Sequence, residues 1–103
     1  MGRLGRACVI GLGRSGLAVA EYLSSRLGGD VDELVLYDGA DDPALRERTR
    51  RFAEAGAAVK LGVDSVDGAF DLGVASPGIR PDAPIMRSAS AACRRLVSEL
   101  EFA

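Results

Sequence analysis

Ala7-Cys8-Val9-Ile10-Gly11-Leu12-Gly13-Arg14-Ser15-Gly16 is the stretch that decides the fold. Four apolar residues predict a short strand buried on both sides, and the glycine turn and helical pattern that follow set a strand end against a helix start. Gly16, Ala20, Leu23 and Leu27 recur at helical spacing with Val19 beside them, so a helix is expected from Ser15 to about Leu27, stopped by Gly28-Gly29. A second glycine turn, Ser76-Pro77-Gly78-Ile79, follows the apolar run Leu72-Gly73-Val74-Ala75 in the same manner.

Between these two landmarks the pattern alternates. Leu34–Tyr37 reads as the second strand, ending at Asp38. Asp42 is an expected N-cap with Pro43 in the first turn, opening a helix that runs to about Ala55 with Leu45, Phe52 and Ala55 inward. Ala58–Leu61 reads as the third strand, Gly62 to Phe70 as a loop or short helix, and Leu72–Ala75 as the fourth strand. Pro84 to Ala92 is an expected small helix, and Arg95–Val97 a short fifth strand. This alternation predicts an α/β, Rossmann-like, open parallel five-stranded sheet of order 3-2-1-4-5 with helices on both faces. Strand order then reverses between the first and fourth strands, which are the two that carry glycine turns. Ligands of such sheets bind at that reversal.

Composition narrows the chemistry. The chain has 103 residues, enough for one core, with 48% hydrophobic and 27% charged residues, as in a globular domain. A net charge of −2 argues against a general nucleic-acid binder. The absence of histidine removes His-based triads and His metal sites. Cys8 and Cys93 form no C-x-x-C, and Cys8 reads as a buried small hydrophobe, which fits a reducing compartment. No window has the apolar length of a membrane span or signal peptide, so a cytoplasmic protein without membrane or nucleic-acid partners is expected. The arginines Arg46, Arg48, Arg50 and Arg51 interleave with Glu47 and Glu54 and read as a solvated helix face.

Each candidate binding residue has a physical reason. Gly11 permits the tight turn, Gly13 lets backbone approach a phosphate, and Gly16 lets helix meet strand. The amides around Arg14 and Ser15 open a helix, whose amino end attracts anions. Asp38, at the end of the second strand, is placed to accept from a ribose hydroxyl or a base N–H. Ser76 and Gly78 form the opposite wall. Glu99 and Glu101 follow the last strand and belong either to the cleft edge or to a frayed terminus.

Together, Val9–Gly16, Asp38, Asp71-Leu72, Ala75–Ile79 and Val97-Ser98-Glu99-Leu100-Glu101 resemble the N-terminal domain of the Mur ligases, most closely those that add D-glutamate. The likeness covers nearly the whole chain. Ser-Pro-Gly-Ile and the Glu-x-Glu ending are its specific parts. The resemblance implies a domain that binds the UDP part of UDP-N-acetylmuramoyl-L-alanine. The amides of Arg14 and Ser15, with Gly13 and Gly16, would hold the pyrophosphate; Asp38 and Gly39 would face uracil and ribose; Ser76 and Gly78 would line the far side. Gly39-Ala40 depart from the polar or basic residues that relatives often carry there. The resemblance further implies a central domain with a G-x-x-G-K-[ST] loop for ATP and Mg²⁺ and a C-terminal domain. Neither is in this sequence, whose only lysine is Lys60, so one non-catalytic domain of a longer ATP-dependent ligase is expected. Two other readings use part of the same pattern: a small NAD(P)-binding Rossmann domain of a regulatory protein or oxidoreductase, and a non-binding flavodoxin-like module.

Overall fold

The computed structural model describes residues 4–99. Five strands form one sheet: β1 (Gly5–Ile10), β2 (Val31–Asp38), β3 (Ala58–Leu61), β4 (Phe70–Ala75) and β5 (Cys93–Ser98). Their order is β3-β2-β1-β4-β5 and every pairing is parallel, as the alternation predicts. Three helices connect them: α1 (Arg14–Ser25), α2 (Pro43–Glu54) and α3 (Pro84–Ala92).

The sheet is buried on both faces because side chains alternate along each strand. On one face Ala7 and Val9 of β1 join Leu34 and Leu36 of β2 and Leu72 and Val74 of β4. This layer packs against Ala20 and Leu23 of α1 and Leu45 and Phe52 of α2. On the other face Cys8, Ile10, Val35, Tyr37, Phe70 and Ala75 pack against Ile85 and Ala89 of α3. Helices thus lie on both faces, and their change of face coincides with the reversal of strand order.

Local chemistry explains the element ends. The Asp42 carboxylate accepts from Leu45 N at 2.9 Å, and Pro43 occupies the first turn of α2. Residues 62–69 are a loop rather than a helix. They are held to the second face by Val66, which is buried and donates its N–H to Ser88 Oγ at 2.7 Å. Asp67 adds a hold, its carbonyl accepting from Tyr37 Oη at 3.2 Å. β2 begins three residues before the expected Leu34, because Asp32 and Glu33 tolerate strand geometry on an exposed edge; Arg6 Nε donates to Glu33 Oε1 at 2.8 Å there. β5 begins at Cys93, directly after α3, with no turn residue to announce it.

One core assignment changes. Ala55 is the exposed C-cap of α2, and the inward position between Leu45 and Phe52 belongs to Thr49. Thr49 is buried because its hydroxyl donates back to the Leu45 carbonyl at 2.9 Å, which removes its need for water.

The two cysteines, distant in sequence, meet under α3 with their sulfurs 3.6 Å apart. Gly73 of β4 makes the room: a Cβ there would stand 2.6 Å from Cys93 Sγ and 3.4 Å from Cys8 Sγ. Both thiols are free. β4 lies between their strands, so two strand spacings of roughly 4.8 Å separate the backbones. That exceeds the span of about 7 Å that a disulfide can bridge. Sharing a hydrogen bond with Cys93, and burial after it, push the Cys8 thiol far above its ordinary range.

Candidate functional site

The carboxyl ends of β1 and β4 bring the two glycine turns into contact. Hydrogen bonds of the sheet run on into both: Gly11 N donates to the Tyr37 carbonyl at 2.9 Å, and Ser76 N to the Ile10 carbonyl at 2.9 Å. Gly11 has φ +92°, a conformation that L side chains resist. A Cβ on it would also stand 2.8 Å from Ser76 Cβ and 2.9 Å from Ile79 Cδ1. The turns therefore touch through Gly11, Ser76 and Ile79. The Ser-Pro-Gly-Ile pattern alone predicts no role for Ile79.

Gly16 is buried in the first turn of α1, where any side chain would run into the Gly11 carbonyl oxygen. That clash is why helix and turn can meet so closely only at glycine. Gly13 is the N-cap of α1 and is unlike both. Its φ is −73°, and nothing lies within 4 Å of where its Cβ would stand. No side chain caps this helix end, and its first turn carries no acidic residue. Helix geometry leaves the N–H groups of Arg14, Ser15 and Gly16 without an intrahelical acceptor. The first regular bond runs from Leu17 N to the Gly13 carbonyl at 2.8 Å. Arg14 and Ser15 are exposed. The result is an open edge with free amide donors, suited to an anionic group.

Asp38 sits at the end of β2, half-buried, and both carboxylate oxygens already have protein partners. Oδ2 accepts from Leu12 N at 2.7 Å, and Oδ1 from Ala40 N at 2.8 Å. It clamps the first glycine turn to the end of β2, a role the sequence reading did not assign. Each oxygen keeps a further lone pair for a ligand donor. Gly39 is exposed beside it, with the Val63 carbonyl 3.7 Å from its Cβ position. On the far wall, Ser76 Oγ accepts from Gly78 N at 3.3 Å, and Ile79 N donates to the Ser76 carbonyl at 3.2 Å. Gly78 is exposed, without a positive φ and with only Ser76 Oγ near its Cβ position. All eight sequence-predicted residues thus lie on the β1, β2 and β4 ends of one sheet edge.

Glu99 closes the edge from the β5 side. It is buried, 7% exposed, and its Oε1 lies 3.7 Å from the Gly16 Cβ position. It belongs to the cleft edge; Glu101 lies outside the described residues.

Curated relatives match this chain along nearly all of it. A UDP-N-acetylmuramoylalanine–D-glutamate ligase of Thermobifida fusca is 41% identical over 95% of the chain and 20% of its own length. The enzyme of the same name from Synechocystis sp. is 37% identical over 95% of the chain and 22% of its own. That from Geobacter metallireducens is 35% identical over 92% and 21%. The chain is homologous to part of the Mur ligases. It spans about a fifth of the length of these relatives. No family model matches it, and no solved structure does.

Lys60 lies on β3 with its Nζ 5.8 Å from the centre of the Tyr37 ring. No cluster of three or more metal-ligating side chains occurs among the described residues. None of the described helices is long and apolar enough to cross a membrane.

Proposed function

We propose that this domain holds the UDP part of UDP-N-acetylmuramoyl-L-alanine for an ATP-dependent ligase that adds D-glutamate in peptidoglycan precursor synthesis, in the cytoplasm. The observation that carries the reading is the contact of the two glycine turns at the reversal of strand order, beside a helix start with free amides. In this reading the amides of Arg14 and Ser15 take the pyrophosphate, and the open space at Gly13 lets it approach backbone. Asp38 and Gly39 face uracil and ribose, with Asp38 accepting through the lone pairs its clamp leaves free. Ser76 and Gly78 form the second wall. The domain positions substrate; ATP and Mg²⁺ act through other domains of the ligase, and no residue here is assigned a catalytic part.

Calorimetric titration with UDP tests this directly, with NADH as competitor. Saturable UDP binding that NADH does not displace is expected. No saturation up to millimolar UDP would overturn it, and preferential NADH binding would favour a dinucleotide domain. Gly13→Leu fills the open space and is expected to abolish UDP binding while leaving the circular-dichroism spectrum unchanged. Unaltered affinity would remove α1 from the site.

A further inference from the structure

α1 begins without a side-chain cap and without an acidic residue in its first turn, so its positive end has no local counter-charge. The nearby anion comes instead from the far end of the chain. Glu99 is buried, its Oε1 has no hydrogen-bond partner, and it stands 3.7 Å from the Cβ position of Gly16 in that same first turn. A buried carboxylate oxygen without a donor is unfavourable unless a positive potential holds it. The amino end of α1 supplies one.

The geometry points to Glu99 as an internal anion that competes with ligand phosphate for the amino end of α1, and so as a residue that sets how tightly the edge holds any anion. This rests on the reading of that edge as a nucleotide diphosphate site and adds a determinant to it. A phosphate arriving at the Arg14 and Ser15 amides meets like charge from Glu99, which raises the cost of binding any anion. A bare anion has only the amides to offset that repulsion. A nucleoside diphosphate also has its base and ribose contacts on the Asp38 and Ser76 sides. The penalty is common to both, so Glu99 keeps a bare anion weakly held while a nucleotide still binds through its further contacts.

The test uses the 103-residue chain and two probes, inorganic pyrophosphate and UDP, titrated against wild type, Glu99→Asp and Glu99→Gln. Glu99→Gln removes the charge and keeps the shape; Glu99→Asp draws the charge back by one methylene. Pyrophosphate is expected to bind about fivefold tighter to the Gln variant, with the Asp variant between it and wild type, and UDP is expected to gain by a similar factor. Equal or weaker pyrophosphate binding by the Gln variant overturns the proposal, as does a gain for pyrophosphate with none for UDP where UDP binds. If Gln does not fold, as judged by circular dichroism, the Asp variant decides: no tightening of pyrophosphate overturns it. Tightened pyrophosphate binding with no UDP binding in any variant supports the role of Glu99 and removes the nucleotide reading. No binding of either probe to any variant overturns both.

Discussion

The two glycine turns look alike in sequence and are built on different physics. In the first, Gly11 has a positive φ and faces Ser76 and Ile79, and Gly16 faces the Gly11 carbonyl oxygen, so both are demanded by the fold itself. In the second, Gly78 has neither a positive φ nor a crowding backbone neighbour. A glycine that the fold does not need is free to serve a ligand, and so is Gly13, the open member of the first turn. The comparison separates glycines that make the edge from glycines that leave it accessible.

Substituting Gly16 by Val should have the largest effect. The new side chain meets backbone that cannot rotate away, and a stability loss of about 3 kcal/mol or more is expected by chemical denaturation. A loss below 1 kcal/mol would mean that α1 can move off the turn. Gly11→Ala is expected to cost about 1–3 kcal/mol, from its φ and from crowding against Ser76; thermal melting checks this. Asp38→Ala removes acceptors from Leu12 N and Ala40 N, and should lower stability by about 1.5–3 kcal/mol. If stability holds while UDP binding falls, Asp38 is a ligand residue alone and the clamp is idle. Gly78→Ala should change stability by no more than about 0.5 kcal/mol, and a larger loss would erase the contrast between the turns.

The smallest effect lies away from both turns and serves as their control. Arg46 donates a paired hydrogen bond to Asp41 and holds its carboxyl below the ordinary aspartate range. A folded value below the unfolded one means that this contribution is present above the ordinary range and is lost as pH falls through the lowered value. Arg46→Ala should therefore flatten slightly the drop in melting temperature below about pH 4, without altering UDP affinity at neutral pH. A change in affinity would tie α2 to the binding edge.

Much of this was legible in the chain because it depends on local pattern. Apolar runs of four, helical spacing at Gly16, Ala20 and Leu23, the Asp42-Pro43 start of α2 and the Pro84 start of α3 each act within a few residues, and strand order follows from alternation and handedness. The strand starts at Val31 and Cys93 were not legible: charged residues mask the first, and helix passes into strand without a turn at the second. Ala55 and Thr49 exchange roles because a hydroxyl that bonds its own helix is as buriable as a methyl group, which no hydropathy pattern records.

The sequence by itself determined the sheet, its reversal point and the placing of both glycine turns on one edge. Periodicity, chain direction and connection handedness are properties of neighbours along the chain. Only the tertiary structure decided that Asp38 is occupied by Leu12 and Ala40, that Cys8 and Cys93 share the space left by Gly73, and that Glu99 comes to rest beside Gly16. Those are meetings of residues distant in sequence, set by strand register and by the room that a missing Cβ leaves, and neither quantity is written in any local run of residues.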